Sequence, residues 1–424
     1  MAAWRELVTA TSAARSARDR GTCEAGRCAG RMLSRVQHFI PSLDPAEGLG
    51  VLTVFRLIEE AMPAFFAQGK PIHITRAPGR LDVLGGLGGD RALAMPTAEA
   101  ACAALQARDD ELVRLWSPCR DGSRTQLLSV RLSDLIRPEG PIDYEEARAF
   151  LLPDPRDRWS AYLLGALLVL ARERGLAPQS GAEVLISSDV PERCGVGSSS
   201  AVTVATLQGF ARLYGAELTP FELGTLAQTV EREVLRADGR AADAMAAVFA
   251  EPGQLLSLRG AAADVDARLQ LPSDLEVVGL ATGPRAHQTA AESAFAAEAE
   301  RANRFLELLE QPPDDDRRRE LGDLLFASHD AYRAAGLGDS SCDLVVDFLR
   351  QRRDAGGAVL GARMSGRGGG GTVLLVGAQG KVWYEALRAK KALNEATGHS
   401  AHVFRWSSPG AASFGGVQLD PKPA

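Results

Sequence analysis

The stretch Pro191–Ala201, PERCGVGSSSA, decides how this chain is read. It follows AEVLISS (residues 182–188), whose apolar and β-branched residues read as a strand. It leads into SSSAVTVATLQGFARLYG from Ser198, where apolar residues recur at helical spacing. A strand that turns through glycines into a helix makes a place for an anion. N–H groups at a helix start have no partner within the helix, and the helix dipole favours negative charge there. Gly195, Val196 and Gly197 let the backbone approach a triphosphate, and Ser198, Ser199 and Ser200 add hydroxyl ligands. The competing structural reading is a serine-capped helix after a glycine turn. Two other nucleotide patterns are missing. There is no G-x-x-x-x-G-K-[ST], and GVGSSS lacks the third glycine of the dinucleotide fingerprint.

Upstream, IHITR from Ile72 reads as a short strand running into the turn APGR, with a glycine-rich loop from Gly85 to Gly89 before ALAM. Downstream, a helix is expected from Pro220 to Leu235. QLLSL and EVVGLAT are strand candidates on either side of a boundary near residues 260–273. The second half turns helical, then carries four consecutive glycines, Gly368 to Gly371, before a strand, a helix around Trp383–Glu395 and the strand HVFRW. Residues 1–45 read as a loosely ordered amino-terminal extension, followed by a helical segment that ends at Gly69. PPDDDRRR from Pro312 reads as a solvated loop, and no internal repeat stands out. A length of 424 residues exceeds the usual size of one hydrophobic core, so two domains are expected.

Composition narrows the function classes. With 48 basic and 54 acidic residues, the formal charge of -6 argues against broad attraction to nucleic acid, and a small-molecule substrate is the better expectation. The six cysteines lack the short paired spacings of a zinc site or a disulfide framework, which suggests reduced thiols and a cytoplasmic location. AYLLGALLVL from Ala161 stops at Ala171-Arg172-Glu173-Arg174, too short to span a bilayer, and reads as a buried helix. The first 35 residues are rich in Arg, Ala and Ser, but Glu6, Asp19 and Glu24 among the arginines argue against a targeting peptide. His38, His73, His287, His329, His399 and His402 are isolated and give no metal cluster.

PERCGVGSS fits P-x-x-x-G-[LV]-G-S-S at every fixed position. RAPGRLDVLGG from Arg76 and GARMSGRGGGGTV from Gly361 resemble the first and third signatures of the same family, in the same order. The chain thus resembles the galactokinase branch of the GHMP kinases, which also hold homoserine, mevalonate and phosphomevalonate kinases. RLDVLGG, MPTAEAACAALQ and the tail SSPGAASFG are similar to plant-type L-arabinokinases. The resemblance implies a two-domain α+β fold. An amino-terminal domain of ribosomal protein S5 domain 2-like topology would span residues 46–265, and a ferredoxin-like carboxy-terminal domain residues 266–424. It implies transfer of the terminal phosphoryl of ATP, with Mg2+, to the anomeric hydroxyl of an aldose. L-Arabinose leads, with D-galactose or a uronic acid as alternatives. By resemblance Asp243 and Arg80 are catalytic and contact the sugar, Ser199 and Glu231 hold the metal, Gly195 to Ser200 bind ATP, and Asp90 contacts the sugar. Gly366, Gly368, Gly369, Gly370 and Gly371 form a phosphate-facing or packing loop. No membrane or nucleic-acid partner is implied, and the oligomeric state stays open.

The departures fall on the sugar side. GRAADAMAA keeps Asp243 but has Arg240 where glycine is usual and Ala244 where glutamine is usual. LGGDRALAMP is shorter than the family's sugar-binding element and offers Asp90 displaced by one position. Arg367 replaces a glycine of the third signature, and Ser328–His329 read as packing and capping residues. A catalytically silent sugar and ATP sensor is the rival from another class. Retention of Arg80, Glu231 and Asp243 speaks against it.

Overall fold

A computed structural model of the chain describes residues 36–38, 49–58, 65–85, 91–119, 123–237, 239–286, 293–398 and 400–420. The first half runs β1 (Val36–His38), α1 (Leu49–Arg56), β2 (Ile72–Gly85), β3 (Arg91–Ala107), β4 (Leu112–Trp116) and β5 (Leu127–Arg131). A two-rung ladder follows, β6 (Ile136–Arg137) with β7 (Gly140–Pro141), then α2 (Tyr144–Leu151), α3 (Ser160–Arg174) and β8 (Ala182–Ser188). Next come α4 (Ser198–Leu213), α5 (Pro220–Thr229), α6 (Ala241–Phe249) and the hairpin β9 (Gln254–Arg259) and β10 (Asp264–Gln270). The second half runs β11 (Leu275–Ala281), α7 (Ser293–Leu309), α8 (Asp315–Ala334), α9 (Ser340–Asp354), β12 (Val359–Met364) and β13 (Thr372–Ala378). It ends with α10 (Val382–Thr397), β14 (His402–Phe404), α11 (Ala411–Phe414) and β15 (Val417–Leu419).

Two sheets carry this two-domain α+β fold. Among the described residues the larger is nine-stranded, in the order β1-β15-β2-β3-β8-β4-β5, with β9 branching from β3 and pairing β10. The smaller is four-stranded, in the order β12-β13-β11-β14. The last strand crosses back to the first sheet, with Val417 opposite Ile74 and Leu419 opposite Val36. Val36–His38 thus form a strand within the stretch expected to be loosely ordered, and the remaining residues of 1–45 lie outside the described ones.

The apolar run from Ala161 is a helix in the interior of the first half. Every residue of Ser160–Ala171 except Tyr162 is buried, as a helix apolar all round must be. Gly165 lets the next turn approach, since a Cβ there would stand 3.1 Å from Val230 Cγ1. The helix expected from Pro220 to Leu235 is one α-helix to Thr229, started by a Thr219–Glu222 capping box, and then a π-helical turn over Val230–Val234. A second core joins the sheets through Leu81 and Val83 of β2, Val196 of the glycine turn, and Val277, Leu374 and Phe404.

Three local expectations need correction. PPDDDRRR is not a loop: Asp314 caps α8, Asp315–Arg319 form its first turns, and Arg317 is buried against Asp274. APGR is not a turn, because β2 continues to Gly85 and pairs with β3 throughout. Register shifts at Pro78/Arg80 and Asp82/Leu84 absorb the residues that read as breakers. Asp264–Gln270, inside the expected boundary, is a strand whose residues alternate between exposed and half-buried.

Candidate active site

The glycine turn holds its shape through left-handed backbone at Arg193 (φ +61°), Gly195 (φ +71°) and Gly197 (φ +75°). Gly197 is the N-cap of α4, and no side chain caps that helix. The serine-capped reading therefore fails. Ser198, Ser199 and Ser200 lie inside the first turn, so the N–H groups of this end are left for something other than a capping hydroxyl. Ser200 turns inward and donates to Glu231 Oε1 at 2.8 Å.

Arg80 ties this turn to a carboxylate. The bulge in β2 points its backbone N–H at the Val196 carbonyl (2.9 Å), and its Nη1 donates to the Gly195 carbonyl (3.0 Å). Its Nε and Nη2 donate to Asp243 Oδ1 at 3.0 and 2.6 Å. Asp243 sits in the first turn of α6, where a carboxylate also complements the helix dipole. Arg240, the N-cap of α6, donates from Nη2 to the same Oδ1 at 2.5 Å and to Asp82 Oδ2 at 2.7 Å. Asp82 Oδ2 in turn stands 3.2 Å from Arg80 Nη1. Two arginines and two aspartates thus close a ring of ion pairs.

Burial alone would raise the Asp243 carboxyl. The Arg240 and Arg80 guanidiniums outweigh it and hold the group well below the usual carboxylate range. Glu231 goes the other way. It is buried beside the Asp243 charge and is pushed up to about 7, against the pull of the Ser200 and Ser199 hydroxyls. The loop closes tightly over it, since a Cβ on Gly239 would fall 2.0 Å from Glu231 Oε2.

The third glycine run buttresses the first. Gly366, Gly368, Gly369, Gly370 and Gly371 all have left-handed φ. A Cβ on Gly371 would stand 2.5 Å from the Cys194 carbonyl, to which Thr372 Oγ1 donates at 2.8 Å. Gly369 N–H bonds the Leu337 carbonyl (2.8 Å), and Tyr332 Oη bonds that of Gly366 (2.8 Å). Just before the run, Arg363 reaches the Val83 carbonyl (3.1 Å), and Ser365 Oγ accepts from the Asp82 N–H (2.9 Å). Ser328 and His329 are buried behind this layer, with Ser328 on Glu298 (2.8 Å) and His329 beside Asp343 (3.1 Å).

The structure therefore brings together Arg80, Asp243, Glu231, Gly195–Ser200 and the third glycine run. Asp90 lies outside the described residues. Three members of the site were not among the sequence candidates. Arg240 was visible only as a departure from a pattern, Asp82 only as part of RLDVLGG, and Arg285 gave no signal beyond its place after the strand EVVGLAT. The Arg285 backbone bonds the Arg193 carbonyl (2.7 Å), and its Cδ lies 3.7 Å from where a Gly195 Cβ would be. Burial lowers its pKa, and the charges of Arg367 and Arg240 lower it further. Positive charge is thus concentrated over the glycine turn. Among the described residues no cluster of three or more His, Cys, Asp or Glu is placed to hold a metal, and no helix is long and apolar enough to cross a membrane.

Residues 161–251 match the family described as GHMP kinases N terminal domain, a span that includes the glycine turn, Glu231, Arg240 and Asp243 but not Arg80 or the third glycine run. The chain is 25% identical to L-arabinokinase of Arabidopsis thaliana over 85% of its own length and 48% of that protein. It is 29% identical to galactokinase of Chloroflexus aggregans, over 54% of this chain and 53% of that one. It therefore spans about half the length of these two relatives. Lactococcus lactis galactokinase complexed with galactose superimposes with a TM-score of 0.64 at 19% identity, over 84% of this chain and 98% of that one. A mevalonate kinase superimposes with a TM-score of 0.58 at 18% identity, over 79% and 99%. The chain has the fold of the GHMP kinases, and its residues 161–251 match the N-terminal domain of that family.

Proposed function

We propose that this chain is an ATP-dependent sugar kinase that phosphorylates the anomeric hydroxyl of an aldose, with L-arabinose as the preferred acceptor. The observation that carries the reading is the placement of Asp243. An ionised carboxylate and an uncapped helix start are tied to the same side chain, Arg80. The expected division at 265/266 falls inside β10 of the larger sheet, so the boundary is better placed between β10 and β11, with the glycine turn and Asp243 on one side and the third glycine run on the other.

In the reaction an acceptor oxygen forms a bond to the terminal phosphorus, the bond to the bridging oxygen breaks, and ADP and the hydroxyl proton leave. The glycine turn and the first N–H groups of α4 bind the donor's phosphates, and Arg285 adds charge beside them. Asp243 accepts the hydrogen of the attacking hydroxyl and orients it. With its carboxyl held so far down, orientation contributes more than proton uptake. Arg80 keeps that carboxylate ionised and faces charge developing on the transferred group. Glu231 with Ser199 or Ser200 suits Mg2+, which takes few protein oxygens and keeps waters and phosphate oxygens. When bound, the ion neutralises phosphate charge, and it would also hold Glu231 ionised.

The similarity to L-arabinokinase along most of the chain supports arabinose, and the galactokinases support galactose as second acceptor. The two sugars differ by the exocyclic hydroxymethyl group. A contact of that size shifts binding by only about 1 to 3 kcal/mol, so discrimination is expected to be modest. Initial rates of ADP release with L-arabinose, D-galactose and D-glucuronate at matched concentrations test the assignment. A higher kcat/KM for L-arabinose is expected, and a clear preference for either other sugar overturns it.

A further inference from the structure

We propose that Arg240 is a positioning residue: by sharing Asp243 Oδ1 with Arg80 it turns the other oxygen, Oδ2, toward the acceptor hydroxyl. The inference rests on the kinase reading for its catalytic consequence, not for its geometry. Oδ1 receives Arg80 Nε, Arg80 Nη2 and Arg240 Nη2 at 3.0, 2.6 and 2.5 Å, which crowds all three guanidinium donors onto one oxygen. Oδ2 carries none of these bonds, and the Asp243 side chain keeps 16% of its exposure, so it is reachable. Arg240 itself is anchored from behind by Asp82, which is buried in β2 and bonded through its own backbone N–H to Ser365.

The approach of Arg240 is built into the loop. Gly239 is pressed against Glu231, where any side chain at position 239 would collide with Oε2, and Arg240 leaves that contact with extended backbone (φ −92°, ψ 142°). Two guanidiniums converging on one oxygen from different elements hold that oxygen from two sides and leave the other oxygen to the acceptor. The charges facing Asp243 are Arg80 from β2, with Asp82 on the same strand, Arg240 ahead of α6, Glu231 from the π turn, and Arg285 from the loop after β11. Removing Arg240 leaves Asp243 with burial pushing its carboxyl upward and, among the described residues, Arg80 as its remaining direct ion pair.

The test uses the full chain and the variants Arg240→Ala, Arg240→Gln and Arg240→Lys, each checked for a cooperative melt. In Arg240→Ala and Arg240→Gln, kcat is expected to fall about tenfold or more, with the KM for ATP unchanged. The acid limb of the kcat/KM profile should move up by about one pH unit or more. Arg240→Lys should restore part of both effects. Carbon NMR titration of the Asp243 carboxyl, identified with Asp243→Asn, reads the same change without turnover: a group ionised down to low pH in the parent and titrating higher in the variants. An unmoved acid limb and titration, or a rise in the KM for ATP in place of a fall in kcat, overturns the proposal. Should no sugar support turnover, the kinase reading fails and the NMR titration still decides the role of Arg240.

Discussion

Asp243 and Glu231 are two carboxyl groups driven in opposite directions by their neighbours, and each gives a separate experiment. Asp243→Asn removes the charge with little change in volume. Sugar-dependent kcat should drop about 10²-fold or more while nucleotide binding persists, and near-normal turnover would remove Asp243 from the reaction. Glu231 tests the proposed metal site through stability. Its folded carboxyl lies near 7 against an ordinary 4.5, so between those values the native state holds a proton that the unfolded chain has released. Stability from this group is full at low pH and is lost as pH rises through that window. Glu231→Gln should therefore stabilise the protein at pH 8 without divalent cations, by on the order of 1 to 3 kcal/mol. The gain should vanish in acid, and added Mg2+ should raise the Tm of the parent more than that of the variant. A variant less stable than the parent at pH 8 contradicts the buried-charge account.

Among the elements, the strand–glycine turn–helix unit was legible because its signals are local: a β-branched run, two glycines, then apolar residues at helical spacing. The serine-capped alternative stayed open in the sequence, since a run of serines resembles an N-cap and only the left-handed Gly197 shows where α4 starts. APGR looked like a turn because Pro78 and Gly79 are breakers in isolation. Pairing with β3 overrode them and turned the irregularity into the bulge that aims Arg80. The ring of Arg80, Asp243, Arg240 and Asp82 was not readable, because it joins a strand and a helix start about 160 positions apart. The third glycine run is a matter of close approach. Gly371→Ala would place a methyl 2.5 Å from the Cys194 carbonyl at a φ of +105°. Gly356→Ala, at φ +79° with open space around it, incurs the backbone strain alone. The first should lose about 2 kcal/mol or more and weaken ATP binding, and the second about 1 kcal/mol with ATP binding intact. Equal effects of the two would deny the contact between the glycine segments.

At the scale of the whole molecule, the two sheets share a core through β2, and the last strand returns to the sheet in which β2 lies. That arrangement holds the glycine turn against the third glycine run and leaves the Asp243 side chain partly open. The order of the three signatures made the α+β fold legible in the sequence. The acceptor was less so, because the segments around positions 90 and 240 depart from the family pattern and the acceptor contacts could not be carried over residue by residue. The central claim is phosphoryl transfer to an aldose, and phosphorus NMR of the full chain with MgATP and L-arabinose or D-galactose tests it most directly. The expected result is sugar-dependent growth of ADP together with a new phosphomonoester signal coupled to an anomeric proton, absent in Asp243→Asn. ATP turnover that is independent of sugar, or no new phosphoester with either aldose, would contradict it.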